Sequence, residues 1–132
     1  MELISTQICK TSDIGVNKNL FGGIMLQWID EAGGIMAAHL CCSPNVITLK
    51  MEEVVFKSPV KVKDHIKIYG SIVSVGRTSL KLHIEARRFG FCNEGEEIVC
   101  STQMIFVKID DKGKAAPIDE KQLSLIKSKM SL

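Results

Sequence analysis

The sequence predicts an α+β domain in which a curved antiparallel sheet of five or more strands wraps one long central helix. Three observations carry this. The stretch from Asn17 to Leu40, NKNLFGGIMLQWIDEAGGIMAAHL, sets Met25, Leu26, Ile29, Met36, Ala37 and Leu40 at helical spacing. Beyond Pro44 the apolar period changes to two and holds to Ile109. No helical stretch interrupts that second region, so its strands are joined by short connections as antiparallel neighbours, and the one apolar helix must cover a face of their sheet.

The elements follow in order. Residues 2–10, ELISTQICK, open the chain as a strand in which Leu3, Ile4 and Ile8 alternate imperfectly, and Thr11 to Lys18 is a loop with Asp13, Gly15 and Asn17 as turn formers. The helix ends near Cys42, where Ser43, Pro44 and Asn45 break it. From Val46 to Phe56 the apolar residues Ile47, Leu49 and Met51 alternate with polar ones, and a slip at Glu53 predicts a bulge. Ser58 and Pro59 close this strand, and Val60 to Asp64 turns. Ile66, Ile68, Gly70 and Ile72 then mark a strand running to Val75. Gly76, Arg77 and Thr78 connect tightly into Leu80, Leu82, Ile84 and Ala86, the plainest alternation in the chain. A hairpin loop at Gly90 to Glu96 leads to the last strand, Ile98 to Ile109, with Cys100, Thr102, Met104 and Phe106 on one face. After a turn at Asp110 to Pro117, Asp119 to Met130 reads as a short, charged surface helix. The organisation expected is one domain over 1–132, with a core at about 2–110 and a C-terminal tail or short helix at 118–130.

Bulk properties bound the function. A chain of 132 residues, 45% of them hydrophobic, suffices for one packed core. A net charge of +2 and few aromatic residues argue against nucleic acid. The absence of a long apolar run and of a leader pattern predicts a soluble, cytoplasmic protein without membrane insertion. Five cysteines, Cys9, Cys41, Cys42, Cys92 and Cys100, follow no CxxC spacing and suit a reducing compartment as small hydrophobes. His39, Cys41 and Cys42 lack the second ligand pair of a closed zinc site, so no metal is expected.

The chemistry concentrates on the central helix. Gly22 and Gly23 at its mouth present bare backbone N–H groups at the positive end, an anion or oxyanion site. Asp30 lies seven residues beyond Gly23, close to two turns, and so projects from much the same side. Gly33 and Gly34 follow it, each costing roughly 1 kcal/mol relative to alanine. Their presence predicts close approach of another backbone or a thin ligand beside the carboxylate. One helix covers a five-stranded sheet incompletely, and the exposed remainder with the sheet edge predicts a homodimer and a higher oligomer.

Five ordered segments carry a resemblance. They are Asn19-Leu-Phe-Gly-Gly, Trp28-Ile-Asp30-Glu-Ala-Gly, Phe56-Lys-Ser-Pro59, Val75-Gly-Arg-Thr-Ser79 and the closing CSTQMIFVKID. Across roughly residues 10–118 the chain resembles the hotdog-fold acyl-CoA thioesterases of the single-domain, YciA-like bacterial type. The resemblance implies dimers joined edge to edge with active sites between protomers, and a homohexamer built as a trimer of dimers. It also implies hydrolysis of short- to medium-chain, or broader, acyl-CoA, with coenzyme A as part of the substrate and no cofactor.

On this resemblance Asp30 is the general base or the direct nucleophile; the residues do not separate the two. The amides of Gly22 and Gly23 fit the oxyanion site. Asp30 and Gly23 are separated by roughly 10 Å along the helix, so a site using both draws them from different protomers. Asn19 fits the position that orients water or polarises the carbonyl, with Asn17 as the alternative. Arg77, Thr78 and Ser79 fall in a segment that the family places near the thioester and pantetheine arm. Lys57, Arg87 and Arg88 are further candidates for the nucleotide phosphates. Glu31 points about 100° around the helix from Asp30 and reads as a solvent or interface residue. Trp28 is expected at an interface or against the acyl or pantetheine chain.

Two other classes stand beside hydrolysis: a non-catalytic acyl-CoA-binding or sensing module, and a hotdog enoyl-CoA hydratase or dehydratase. The second needs a histidine paired with an acid at the centre. Yet no histidine lies near Gly22 or Asp30 in sequence: His39 is at the far end of the helix, roughly 14 Å past Asp30 at 1.5 Å per residue, and His39, His65 and His83 all read as structural or surface residues. The first would normally carry a DNA-binding segment, for which 132 residues leave no room.

Overall fold

In the computed structural model, which describes residues 1–130, the chain forms β1 (Glu2–Ile8), a 3-10 turn (Thr11–Asp13), α1 (Gly22–Cys41), β2 (Val46–Phe56), β3 (His65–Val75), β4 (Ser79–Phe89), β5 (Glu96–Lys108) and α2 (Glu120–Met130). The last two residues of the expected 1–132 domain lie outside the described residues. All strand pairs are antiparallel, in the order β1-β3-β4-β5-β2. β1 and β2 therefore sit on opposite edges, and α1, which joins them in sequence, must cross the whole sheet. That is why one long helix touches every strand.

Alternation builds the core. Leu80, Leu82, Ile84 and Ala86 of β4 are buried under α1, as are Cys100, Thr102, Met104 and Phe106 of β5. From the helix come Met25, Ile29, Met36, Ala37 and Leu40, joined by Ala32 and Cys41, whereas Leu26 is only half-buried. Trp28 is also buried in this core, against the expectation of an interface or substrate position. α1 ends where Cys42 adopts a left-handed conformation, φ 53°, and its N–H donates back to the Ala38 and His39 carbonyls.

Three features differ from the sequence reading. The close approach at Gly33 is made by side chains of the same chain: a Cβ there would lie 2.8 Å from the Phe106 ring and 3.0 Å from Met104 Sδ. Gly34 has nothing within 4 Å. In β2, Ile47 pairs with Val107 and Thr48 with Phe106, but the register shifts between Thr48 and Lys50 so that Met51 pairs with Met104. Leu49 is the extra residue, and it puts Ile47 and Met51 on opposite faces. The second irregularity, at Glu53 with φ 51°, falls at the expected slip. Finally, α2 is seated as well as charged: Ile126 is buried and the helix packs on β3 and α1. Among the described residues no helix is long and apolar enough to cross a membrane.

Candidate active site

The first part of the site is the mouth of α1. Leu20 N–H donates to the Val60 carbonyl at 2.7 Å and Phe21 N–H to the Asp13 carbonyl at 2.9 Å, which fixes how the chain enters the helix. Phe21 is the N-cap, in extended conformation, and its side chain makes no capping hydrogen bond. The amides of Gly22 and Gly23 are the first two of the helix, where no intrahelical acceptor exists. Beside them opens a cavity of about 360 Å³, lined by Leu20, Gly22, Met25, Phe56, Pro59 and Val60. Its walls are mainly apolar. Gly23 is shaped by its own neighbour, since a Cβ there would lie 2.6 Å from the Phe21 ring.

The second part is Asp30, in the middle of α1 and exposed. Thr48 donates its hydroxyl to Asp30 Oδ1 at 2.6 Å. No basic side chain among the described residues pairs with this carboxylate, and Oδ2 remains open. Thr48 is the site residue that sequence reasoning missed. Its signal was a polar residue at a core-facing position of β2, and the bulge at Leu49 hid that register.

Asn19 lies just before the helix mouth. Lys61 donates its ammonium to Asn19 Oδ1 at 2.5 Å, and the Asn19 carbonyl accepts from Gly15 N–H at 2.8 Å. Asn17 is exposed on the same turn, next to Lys18 with φ 63°.

Register sorts the remaining candidates. Thr48, Phe106 and Leu80 form one row across β2, β5 and β4, so the Arg77-Thr78-Ser79 turn sits at the level of Asp30. Arg77 is exposed there, while Thr78 and Ser79 are half-buried. Phe56, Cys100 and Ala86 form the row at the helix mouth, with Lys57 on the cavity rim and Arg88 behind it. Along α1 itself Asp30 lies seven residues from Gly23, roughly 10 Å, too far for both to reach one carbonyl. One protomer thus presents two half-sites that do not meet.

Arg87 belongs to neither. It follows the parity of Lys81, His83 and Glu85, on the sheet face away from α1. There its Nη2 donates to Glu85 at 2.8 Å and its Nη1 to Glu96 at 3.2 Å, with the guanidinium 4.4 Å from the Tyr69 ring centroid. The hydrogen bond from the Tyr69 hydroxyl, and after it those from Arg87 and Lys67, hold the Glu96 carboxyl below its ordinary value. The one histidine with an acidic partner among the described residues, His83 with Glu85 at 3.1 Å, lies on this same far face. His65 stacks edge-on against Phe89 and Phe91.

The three buried cysteines are poor nucleophiles. Burial pushes the thiols of Cys9 and Cys41 up and that of Cys100 to about 11, so none of these is a ready thiolate. Among the described residues, no group of three or more His, Cys, Asp or Glu side chains could hold a metal ion.

The sequence profile of the thioesterase superfamily matches residues 17–90. An uncharacterized acyl-CoA thioester hydrolase of Haemophilus influenzae is 30% identical over 94% of this chain and 86% of its own. Another, from Zymomonas mobilis, is 32% identical over 61% of this chain, and the match spans just over half, 54%, of that relative. A solved hexameric hotdog fold thioesterase of Campylobacter jejuni superposes with a TM-score of 0.85 at 34% identity, covering 96% of this chain and 97% of the other.

Proposed function

Because this chain belongs to the thioesterase superfamily and has the hotdog fold, we propose that it hydrolyses the thioester of short- to medium-chain or broader acyl-CoA to free acid and coenzyme A. The observation that carries this is the Asp30 carboxylate, exposed, oriented by the Thr48 hydroxyl and free of a basic partner, on the same helix as two uncapped glycine amides.

A thioester carbonyl is electrophilic already, so the reaction needs a base or nucleophile, a positioned water and donors for the oxygen that becomes anionic. With Asp30 as general base, Oδ2 takes a proton from water as the water oxygen bonds the carbonyl carbon. The former carbonyl oxygen gains charge at the Gly22 and Gly23 amides, whose bonds strengthen as it does. Collapse expels the coenzyme A sulfur, which takes the proton from Asp30. With Asp30 as nucleophile, the carboxylate bonds the carbonyl carbon and the C–S bond breaks to expel the coenzyme A thiolate; water then opens the mixed anhydride to the free acid and the Asp30 carboxylate, and the proton it releases goes to the thiolate. Neither route draws on a metal or organic cofactor.

Asp30 and the Gly23 amide, roughly 10 Å apart along one helix, are too far apart to meet one carbonyl, which supports an assembly in which Asp30 and Thr48 of one copy face the α1 mouth and Asn19 of another. The exposed edge strand β2, with Ile47, Leu49, Val55 and Phe56 uncovered, supports a homodimer joined there. The hexamer of the Campylobacter protein supports a trimer of such dimers. On this reading the enzyme is cytoplasmic, Asn19 orients water or carbonyl, and Arg77, Thr78, Ser79 and Lys57 meet the coenzyme A portion.

The test is thiol release from a panel of acyl-CoA substrates by the purified protein and by Asp30→Asn. The variant should lose turnover by about 10²- to 10⁴-fold while still binding coenzyme A. Retained turnover removes Asp30 from the mechanism. In single turnover in H₂¹⁸O, label found in the Asp30 carboxylate identifies the nucleophile route, because only a mixed anhydride opened at the aspartyl carbonyl places it there.

A further inference from the structure

Arg88 ends the core-facing row of β4, half-buried behind the cavity at the helix mouth. Its Nη1 donates to the Pro59 carbonyl at 2.8 Å and to Asp64 Oδ2 at 3.3 Å. Its Nη2 donates to Ser58 Oγ at 3.2 Å and pairs with Glu97. Four of the five guanidinium N–H donors are thus directed at protein acceptors. A phosphate fork needs two adjacent donors free, and Arg88 does not offer them.

These bonds act on an irregular segment, residues 57–64, whose backbone is also tied at its ends and middle by Lys57 N–H to the Val99 carbonyl, Leu20 N–H to the Val60 carbonyl, and Cys9, which donates to the Asp64 carbonyl and accepts from Lys63 N–H. Pro59 and Val60 of this segment form one wall of the cavity. Asp64 Oδ2, besides accepting from Arg88, accepts from Lys61 N–H at 2.8 Å, and the Lys61 ammonium reaches Asn19. A continuous set of contacts runs from Arg88 through Asp64 and Lys61 to the carboxamide at the helix mouth.

We infer that Arg88 is a positioning residue for the thioester pocket: it fixes the 57–64 wall and, through Asp64 and Lys61, the Asn19 side chain, and it does not bind the nucleotide phosphates. The inference rests on the proposed thioesterase activity for its kinetic readout and on the hydrogen-bond geometry for its structural one.

The experiment compares Arg88→Met and Arg88→Lys with the unaltered protein on two substrates carrying the same acyl group, one on coenzyme A and one on N-acetylcysteamine, which has no nucleotide or phosphate. Arg88→Met should lose kcat/KM by at least about tenfold on both substrates and by the same factor, with Arg88→Lys intermediate. Added methylguanidinium should restore part of the activity of Arg88→Ala. A loss confined to the coenzyme A thioester makes Arg88 a phosphate ligand and overturns the inference, as does no loss on either. Should Arg88→Met fail to fold, Asp64→Asn cuts the same chain of contacts one link later and should lower both rates alike. Backbone amide exchange over residues 57–64 reads the clamp without substrate. Faster exchange there in the variants supports the inference even if no thioester is cleaved, and unchanged exchange overturns it even if one is.

Discussion

Thr48 donates its hydroxyl to Asp30 Oδ1 at 2.6 Å, tying the middle of α1 to the edge strand that follows it in the chain. The bond engages Oδ1 and leaves Oδ2 without it, and on the proposed mechanism it sets which face of the carboxylate meets the substrate. Thr48→Val keeps the shape and removes the donor. We expect kcat to fall by about 10- to 100-fold with KM little changed, the range for a hydrogen bond to a charged group, and less than the loss in Asp30→Asn. Steady-state kinetics on one acyl-CoA decide it, and an unchanged kcat would make the bond incidental.

The two adjacent glycines after Asp30 should respond oppositely to alanine. At Gly33 the new methyl meets Phe106 and Met104 within 3.0 Å, so Gly33→Ala should destabilise by about 1–3 kcal/mol through overpacking. At Gly34 nothing lies within 4 Å, and Gly34→Ala should stabilise by about 1 kcal/mol through helix propensity. Denaturant melts of both variants test the order, and a destabilised Gly34→Ala would mean that a neighbouring copy occupies that space.

Thiol reagents offer a check on the nucleophile. Cys9, Cys41 and Cys100 are buried with raised thiol values, whereas Cys42 and Cys92 are exposed. At neutral pH the native protein should leave the first three unlabelled by N-ethylmaleimide in mass spectra, and treated protein should retain its thioesterase turnover. Loss of activity on labelling would reopen a cysteine route.

The acid side of the stability curve follows from the far sheet face. Burial raises the Glu85 carboxyl, but hydrogen bonds from Arg87 and His83 outweigh it and hold Glu85 below its ordinary 4.5. A carboxylate lowered on folding adds stability above its unfolded value and loses it as pH falls through the folded one. Stability should therefore be flat near neutrality on this account and fall below about pH 4.5, with Glu85→Gln flattening that fall. Urea midpoints across pH 3–7 measure it, and an equal slope in the variant would assign the acid sensitivity elsewhere.

Periodicity made most of the fold legible. The α1 stripe, the alternation of Leu80, Leu82, Ile84 and Ala86, and the slip at Glu53 each reflect a local geometric rule that one sequence states directly. What stayed hidden depended on register or on distant partners. The bulge at Leu49 carries no glycine or proline, so Ile47, Leu49 and Met51 read as one face while Thr48 in fact turns toward Asp30. Arg87 and Arg88 are neighbours of identical chemistry, and only the pleat sends one to Glu85 and Glu96 and the other to Pro59 and Asp64. The seating of α2 through Ile126 is not stated by its charged sequence, because β3 and α1, on which the helix packs, lie far away in the chain.

The separation of the two half-sites yields a test that needs no structure of the assembly. If Asp30 works with Asn19 and the α1 mouth of another copy, Asp30→Asn and Asn19→Ala each disable every site in a pure oligomer. In a mixed dimer one site carries both lesions and the other carries none. Equal co-expression should give half mixed dimers with one intact site of two, so about a quarter of the original activity returns from two nearly inactive parents. If each site were built within one chain, every site in the mixture would carry one lesion and no activity would return.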